Sequence, residues 1–163
     1  MDTLGCIRDR RAVRRYDPEV PDEAVIEKIL EAGRWAPSGL NNQPWRFMVV
    51  KDKETKDGMR AFTEYGDVIV SAPVAIVVCM DTSDSYNREK DLMAVGACIQ
   101  NICLSAFSLG LGTCWLGEIL NKKDEVGEYL GLSDELELMA VVSLGYPAGR
   151  TAKGSRKQLR GLM

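Results

Sequence analysis

The chain contains no histidine. That absence removes the serine–histidine and cysteine–histidine nucleophile systems and leaves a zinc or non-haem iron site without its commonest ligand. If the protein is an enzyme, the difficult chemistry belongs to an organic cofactor. A Cys-x-x-Cys pair is also missing. The five cysteines, Cys6, Cys79, Cys98, Cys103 and Cys114, are odd in number, scattered and mostly set in apolar runs, which reads as buried free thiols in a reducing compartment. The longest apolar runs, Val68 to Met80 and Met93 to Leu111, are interrupted by serine, proline, asparagine or glutamine and lack the unbroken length of a membrane span. Met1-Asp2-Thr3-Leu4-Gly5 has no basic-then-apolar order of a signal peptide, so the expected location is cytoplasmic. No linker-like stretch, repeat or low-complexity tract divides the 163 residues, which predicts one domain over 1–163 with a core of its own.

Charge is present but unevenly placed. Arg8 to Arg15 holds five arginines against one acid, Asp9, and Arg150 to Arg160 holds five Lys or Arg with no acid. The two tips therefore carry ten of the 21 basic residues of a chain with net charge -3 and a pI near 5.1. Nucleic acid rewards a basic face, which this chain lacks. If the tips meet in space they form one local anion site the size of a phosphate; otherwise they are solvated surface and a basic tail.

Arg34 to Phe47 holds the densest set of neutral polar side chains. Pro37 and Pro44 are stiff corners, and between them lie Ser38, Gly39, Asn41, Asn42 and Gln43, framed by Trp35 and Trp45. Such a loop suits a flat, polar-edged aromatic ligand; it is equally a well-capped turn between helix and strand.

In order along the chain, Thr3 is the expected N-cap of a first helix through Arg10, on which Arg10 and Arg14 share a face if the helical turn persists. Pro21-Asp22-Glu23 opens a second helix that ends at the polar loop. Phe47 to Val50 reads as a short strand and Lys51 to Gly66 as a mobile, marginally structured excursion. The β-branched run Pro73 to Cys79 is expected to be a central strand buried on both faces. Arg88 to Leu109 is the longest helix, apolar nearly all round, which at this chain length points to a seam between two subunits. Gly110 is its natural C-cap, Gly112 and Gly117 bracket a short strand, Asn121 to Leu130 is a small helix, and Leu136 to Tyr146 is the last strand.

Four segments in this order, Arg10-Arg11-Ala12-Val13-Arg14-Arg15-Tyr16, Ala36-Pro37-Ser38-Gly39-Leu40-Asn41-Asn42-Gln43-Pro44-Trp45, Gly110-Leu111-Gly112-Thr113-Cys114-Trp115-Leu116-Gly117 and Gly145-Tyr146-Pro147, resemble the nitroreductase family of FMN-dependent oxidoreductases. The resemblance runs from the first helix to the last residues. It implies an α+β fold, a small and mostly antiparallel sheet flanked by helices, with a long buried helix at a dimer seam and one FMN per subunit. By the same resemblance Arg10, Arg11 and Arg14 hold the phosphate and ribityl chain, and Ala12 contributes backbone. Pro37, Ser38, Gly39 and Asn41 come from the other subunit to line the flavin. Trp115, Leu116 and Gly117 pass the ring, with the Gly117 N–H facing N5, and Arg156 with Lys157 closes over the phosphate. The family usually has serine where Ala12 stands, the excursion after the first strand is short, and most members continue past the position of Leu162-Met163 with an arm that adds a strand to the partner's sheet, which leaves that exchange open here while the helix-seam dimer stands.

The implied activity is hydride transfer from NADH or NADPH to the flavin and then to a small organic acceptor such as a nitro compound or quinone, in ping-pong order. Two further readings stay open: a flavoprotein of other chemistry, for example reductive dehalogenation or an oxygen-dependent reaction, and a non-catalytic flavin or nucleotide binding module.

Overall fold

A computed structural model describes residues 2–149, 151 and 154–163. Four strands, β1 (Trp45–Val50), β2 (Val74–Asp81), β3 (Gly112–Leu116) and β4 (Leu136–Gly145), form one sheet in the order β1-β2-β4-β3, antiparallel throughout. Successive side chains of a strand point to opposite faces. In β2, Val74, Ile76, Val78 and Met80 enter one core, while Ala75, Val77 and Cys79 enter another. The expected central strand is thus buried on both faces along its whole length.

One face is covered by α2 (Glu23–Arg34) and α5 (Arg88–Ser108). In α5, Asp91, Ala94, Val95, Cys98, Ile99, Ile102, Cys103 and Ala106 are buried, a three-and-four spacing that turns one stripe to the sheet. Gly33 of α2 lets the two helices approach: a Cβ there would lie 2.7 Å from Ile102 Cγ1. α5 is long and apolar enough in composition to cross a membrane, and 44% of that window is buried inside this fold. Its solvent side still shows Leu92 and Met93. As expected, Gly110 follows the helix with φ +84°.

The other face is covered by α3 (Lys53–Met59), α4 (Gly66–Ser71) and α6 (Lys123–Leu130). This corrects the reading of Lys51 to Gly66 as marginal. Asp52 caps α3 by accepting the Thr55 N–H at 2.6 Å, Met59 is fully buried, and Lys56 Nζ donates to the Ala72 carbonyl at 2.6 Å. Full burial of a side chain like Met59 contributes about 1.5–3 kcal/mol, enough to hold a seven-residue helix that periodicity alone makes weak.

The N-terminal expectations also change. Asp2, not Thr3, caps α1 (Thr3–Asp9), with its carboxylate accepting the Gly5 N–H at 2.7 Å. The helix stops before Arg10, so Arg10 and Arg14 do not share a helical face. Residues 10–16 run instead as an extended strap: Ala12 pairs with Thr113 in parallel and Tyr16 with Pro147 antiparallel.

Candidate functional site

Strand β3 would be the bare edge of the sheet, and the strap covers its start. Val13 N–H donates to Thr113 O at 2.9 Å, Asp17 N–H to Tyr146 O at 2.9 Å, and Ala148 N–H to Arg15 O at 3.0 Å. Gly112 is required at this crossing, because a Cβ there would meet Val13 Cβ at 2.7 Å. Beneath the strap Tyr16 Oη donates to Val13 O at 2.6 Å and shares a 2.7 Å hydrogen bond with Ser143 Oγ; burial pushes the Tyr16 phenol well above its ordinary pKa. The strap is thereby fixed from below, and its arginines are presented above it.

Those arginines lie close together in the chain and differ in their surroundings. Arg11 donates from Nη1 to Arg8 O at 2.6 Å and Arg10 O at 2.8 Å, while the Nε atoms of both Arg10 and Arg11 are buried without a hydrogen-bond partner among the described residues. Arg14 is exposed and makes no ion pair among the described residues. With Ala12, Arg15, Ala148 and Thr151 it lines a cavity of about 310 Å³. The C-terminal tail returns to this place: a Cβ on Gly154 would sit 2.9 Å from Arg11 Cζ. The tail thus passes the first basic segment at Thr151 and Gly154. Arg156, however, donates to its neighbour Ser155 O at 2.7 Å, and Arg156 and Lys157 are both exposed. Arg150 and Lys153 lie outside the described residues.

The polar loop stands before β1, at the opposite edge of the sheet. Its shape is held by itself and by α5. Ser38 Oγ accepts the Gln43 N–H at 3.0 Å, and Leu40, Asn41 and Gln43 all take positive φ, between 50° and 55°. Asn42 Nδ2 donates to Asp91 Oδ1 at 2.8 Å, and Ser85 Oγ to Asp91 Oδ2 at 2.6 Å. Burial raises the Asp91 carboxyl pKa, but hydrogen bonds from Ser85, Asn42 and the backbone of Asn87 and Tyr86 outweigh it and keep the group below its usual range. Pro37 and Asn41 are exposed and Ser38 and Gly39 half-buried. The two tryptophans do not frame the loop as a pair. Trp45 is core, whereas Trp35 is exposed and donates from Nε1 to Glu31 at 2.7 Å.

Trp115 shows 44% of its surface and lies over Gly96 of α5, where a Cβ would be 4.0 Å from its Cη2. Leu116 points into the core, so only its backbone can meet a ligand. Gly117, at φ -93° and ψ -17°, is open: a Cβ there would meet nothing within 4 Å. Sequence reasoning missed Asp91, Ser85 and Tyr86 as supports of the polar loop. Asp91 stands in the charged first turn of α5, Arg88-Glu89-Lys90-Asp91, where the sequence does not set it apart from Glu89, and Tyr86, which packs on Gly39, carried no signal either.

Fold, strap and loop together define an α+β protein of the nitroreductase type. The chain belongs to the nitroreductase family: the pattern named "Nitroreductase family" matches residues 7–70 and 62–146. A Methanothermobacter thermautotrophicus protein provisionally named NADH dehydrogenase/NAD(P)H nitroreductase is 36% identical over 151 residues, covering 91% of this chain and 78% of that one. The FMN reductase [NAD(P)H] of Bacillus subtilis is 29% identical over 173 residues, covering 95% and 70%. A crystal structure of a provisionally named nitroreductase from Desulfovibrio desulfuricans in complex with FMN superposes with TM-score 0.95 at 42% identity, covering 98% of this chain and 94% of that one.

Proposed function

We propose that the protein is an NAD(P)H-dependent FMN oxidoreductase, a single FMN-binding domain acting as a cytoplasmic homodimer and delivering electrons to a small organic acceptor by ping-pong exchange. The observation that carries this reading is the pair of buried guanidinium nitrogens, Arg10 Nε and Arg11 Nε, that have no acceptor among the described residues, beside an Arg14 that pairs with no carboxylate among them. Buried donors without partners are costly, and a phosphate ester satisfies them through charge-assisted bonds that match the planar fork of arginine. The residues present therefore fit the phosphate of FMN. Arg10, Arg11 and Arg14 would hold it, the Ala12 backbone would follow the ribityl chain, and Arg156 with Lys157 could close from the tail. Bound FMN would supply hydride exchange at N5, a chemistry that needs no histidine.

The second copy of the chain follows from the sheet. The strap lies along the outer edge of β3 and the polar loop leads into β1, four strand spacings from the strap, or about 19 Å at about 4.8 Å each. Pro37, Ser38, Gly39 and Asn41 are thus better placed to serve a partner's strap than their own. Leu40 at 85% and Met93 at 69% exposure are apolar surface that a partner would cover. Trp115, the Leu116 backbone and the Gly117 N–H would border the ring, leaving one face open for donor and acceptor in turn. Reducing conditions also suit the five free, buried thiols.

The test combines three measurements on purified protein. Light scattering should give a dimer, the absorbance spectrum a flavin band released on denaturation as FMN, and initial rates against NADH at several acceptor concentrations parallel double-reciprocal lines. Intersecting lines would refute the shared-site exchange, and a flavin-loaded monomer the dimer.

A further inference from the structure

Gly117 is followed by a carboxylate that ties its turn to a distant part of the chain. Glu118 opens the short helical turn Glu118–Lys122. Its Oε2 accepts the Thr63 hydroxyl and, at 3.1 Å, the Glu64 N–H, while Oε1 accepts Asn121 Nδ2 at 3.2 Å. The direction of the Thr63 hydroxyl is settled by its other bond: Oγ1 already accepts the Tyr65 N–H at 3.1 Å, and an ionised carboxylate only accepts, so the hydroxyl proton points at Glu118. The Thr63 bond, with those from Glu64 and Asn121, holds the Glu118 carboxyl below its usual range against the opposing effect of burial.

Both sides of this contact are firm. Phe62 packs against the core under α3, α4 and α6, with its ring 5.7 Å from that of Tyr129, and Arg60 pairs with Asp67. A Cβ on Gly66 would fall 2.8 Å from Arg60 Cα, so the segment that carries Thr63 and Glu64 is folded closely on itself. On the other side Leu116 and Ile119 are buried and anchor the main chain before and after the turn. Gly117 between them has open space where a Cβ would stand, so no side chain of its own fixes its peptide. The neighbouring carboxylate supplies that restraint, from outside the core and across 55 residues of sequence.

We infer that Glu118 is a positioning residue: by latching the Gly117 turn to Thr63 and Glu64, it holds the Gly117 N–H at the angle at which it meets the flavin ring. The inference rests on the proposed function for the flavin, but not for the latch. Glu118→Ala, Glu118→Gln and Thr63→Val are compared with wild type. Glutamine is the rescue, because its amide oxygen accepts both the Thr63 hydroxyl and the Glu64 N–H and only the charge is lost. Glu118→Ala should slow stopped-flow reduction of bound FMN by NADH about fivefold and shift the flavin absorbance band. Thr63→Val should do the same more weakly, and the double variant Glu118→Ala/Thr63→Val should be no slower than Glu118→Ala alone, since both remove one contact. Glu118→Gln should restore most of the rate and the wild-type band. A lowered unfolding midpoint in Glu118→Ala with rate and band unchanged would make the contact merely structural and overturns the inference. So do additive effects in the double variant, or a loss that glutamine fails to restore, which would assign the effect to charge. Amide exchange at Glu64, followed by NMR on the protein as purified, should quicken in Glu118→Ala and not in Glu118→Gln; exchange as slow as in wild type in the alanine variant refutes the latch. A preparation that binds no flavin would refute the proposed function instead, while the exchange would still decide the latch.

Discussion

Asn42 Nδ2 and Asp91 Oδ1 are joined by a 2.8 Å hydrogen bond across 49 residues of sequence, and this bond ties the polar loop to the first turn of α5. Three non-glycine residues of that loop hold positive φ, a conformation that persists only when neighbours over-determine it. Asp91→Ala would leave the Asn42 amide and the Ser85 hydroxyl without their acceptor. It should cost about 2–3 kcal/mol in denaturant unfolding and loosen flavin retention as well. Because the folded-state pKa of Asp91 lies below its ordinary value, its contribution is present above about pH 4 and is lost as pH falls through the lower folded value. Asp91→Asn should therefore flatten the acid limb of stability against pH. An acid limb as steep as in wild type would show that the carboxylate charge does not hold the loop.

Arg14 and Arg34 separate a ligand-facing arginine from a surface one. Arg14 has no ion-pair partner among the described residues, whereas Arg34 is already engaged by Glu31 at 2.6 Å and stacks over Trp35. Arg14→Glu replaces a charge-assisted phosphate contact worth about 1.5–3 kcal/mol with a repulsion, so FMN affinity should fall at least about tenfold. Arg34→Glu touches only an exposed pair and should leave FMN retention near wild type. Flavin retained per subunit after dialysis measures both, and equal retention in wild type and Arg14→Glu would remove the phosphate assignment.

The contrast between those arginines was legible in sequence only in part. Clustering of basic residues and the Pro37–Pro44 loop stand out in the chain, and the all-buried β2 follows from its β-branched run. The backbone of the basic cluster did not follow. Local spacing favours continuing α1 through Arg14, but pairing of Ala12 with Thr113 and the Tyr16–Ser143 bond, between residues 127 positions apart, draw the segment into an extended strap. Such long-range contacts have no local periodicity. The same holds for Lys51 to Gly66, polar in composition yet fixed by Met59 and by Lys56 bonding to Ala72. Gly39 illustrates the limit from the other side. Its need for a missing side chain comes from Tyr86, whose position is set by the loop before α5.

The thiols should be silent in the native protein. All five cysteines are buried, and burial pushes Cys79 up to about 11 and Cys98 up to about 12. Thiolate is the reactive form, so a disulfide-exchange reagent at pH 8 should label slowly until denaturant is added, then reach five per chain. These raised values also link to stability. Above the unfolded thiol pKa of about 8.5 the unfolded chain binds fewer protons than the folded one, so stability should decline from there towards pH 11. Rapid labelling of one or more thiols at pH 8 in the folded protein would contradict the burial argument.

Gly117 offers the sharpest test of how the chain addresses the ring. The position is unstrained, with φ at -93° and free space where a Cβ would stand, so Gly117→Ala keeps the N–H without meeting any atom and should bind and reduce FMN as wild type does. Gly117→Pro removes the N–H and draws φ towards about -65°. If that N–H faces N5, no side chain here replaces it: Leu116 points into the core and Trp115 is displayed on the α5 face. Stopped-flow reduction of bound flavin by NADH should then slow at least about tenfold in the proline variant, the loss of one hydrogen bond to a centre gaining charge. The fold itself should survive, since Gly117 follows the last residue of β3 and only begins a short helical turn. Unfolding midpoints that match between the alanine and proline variants, with reduction rates that also match, would place the N5 donor elsewhere on the chain.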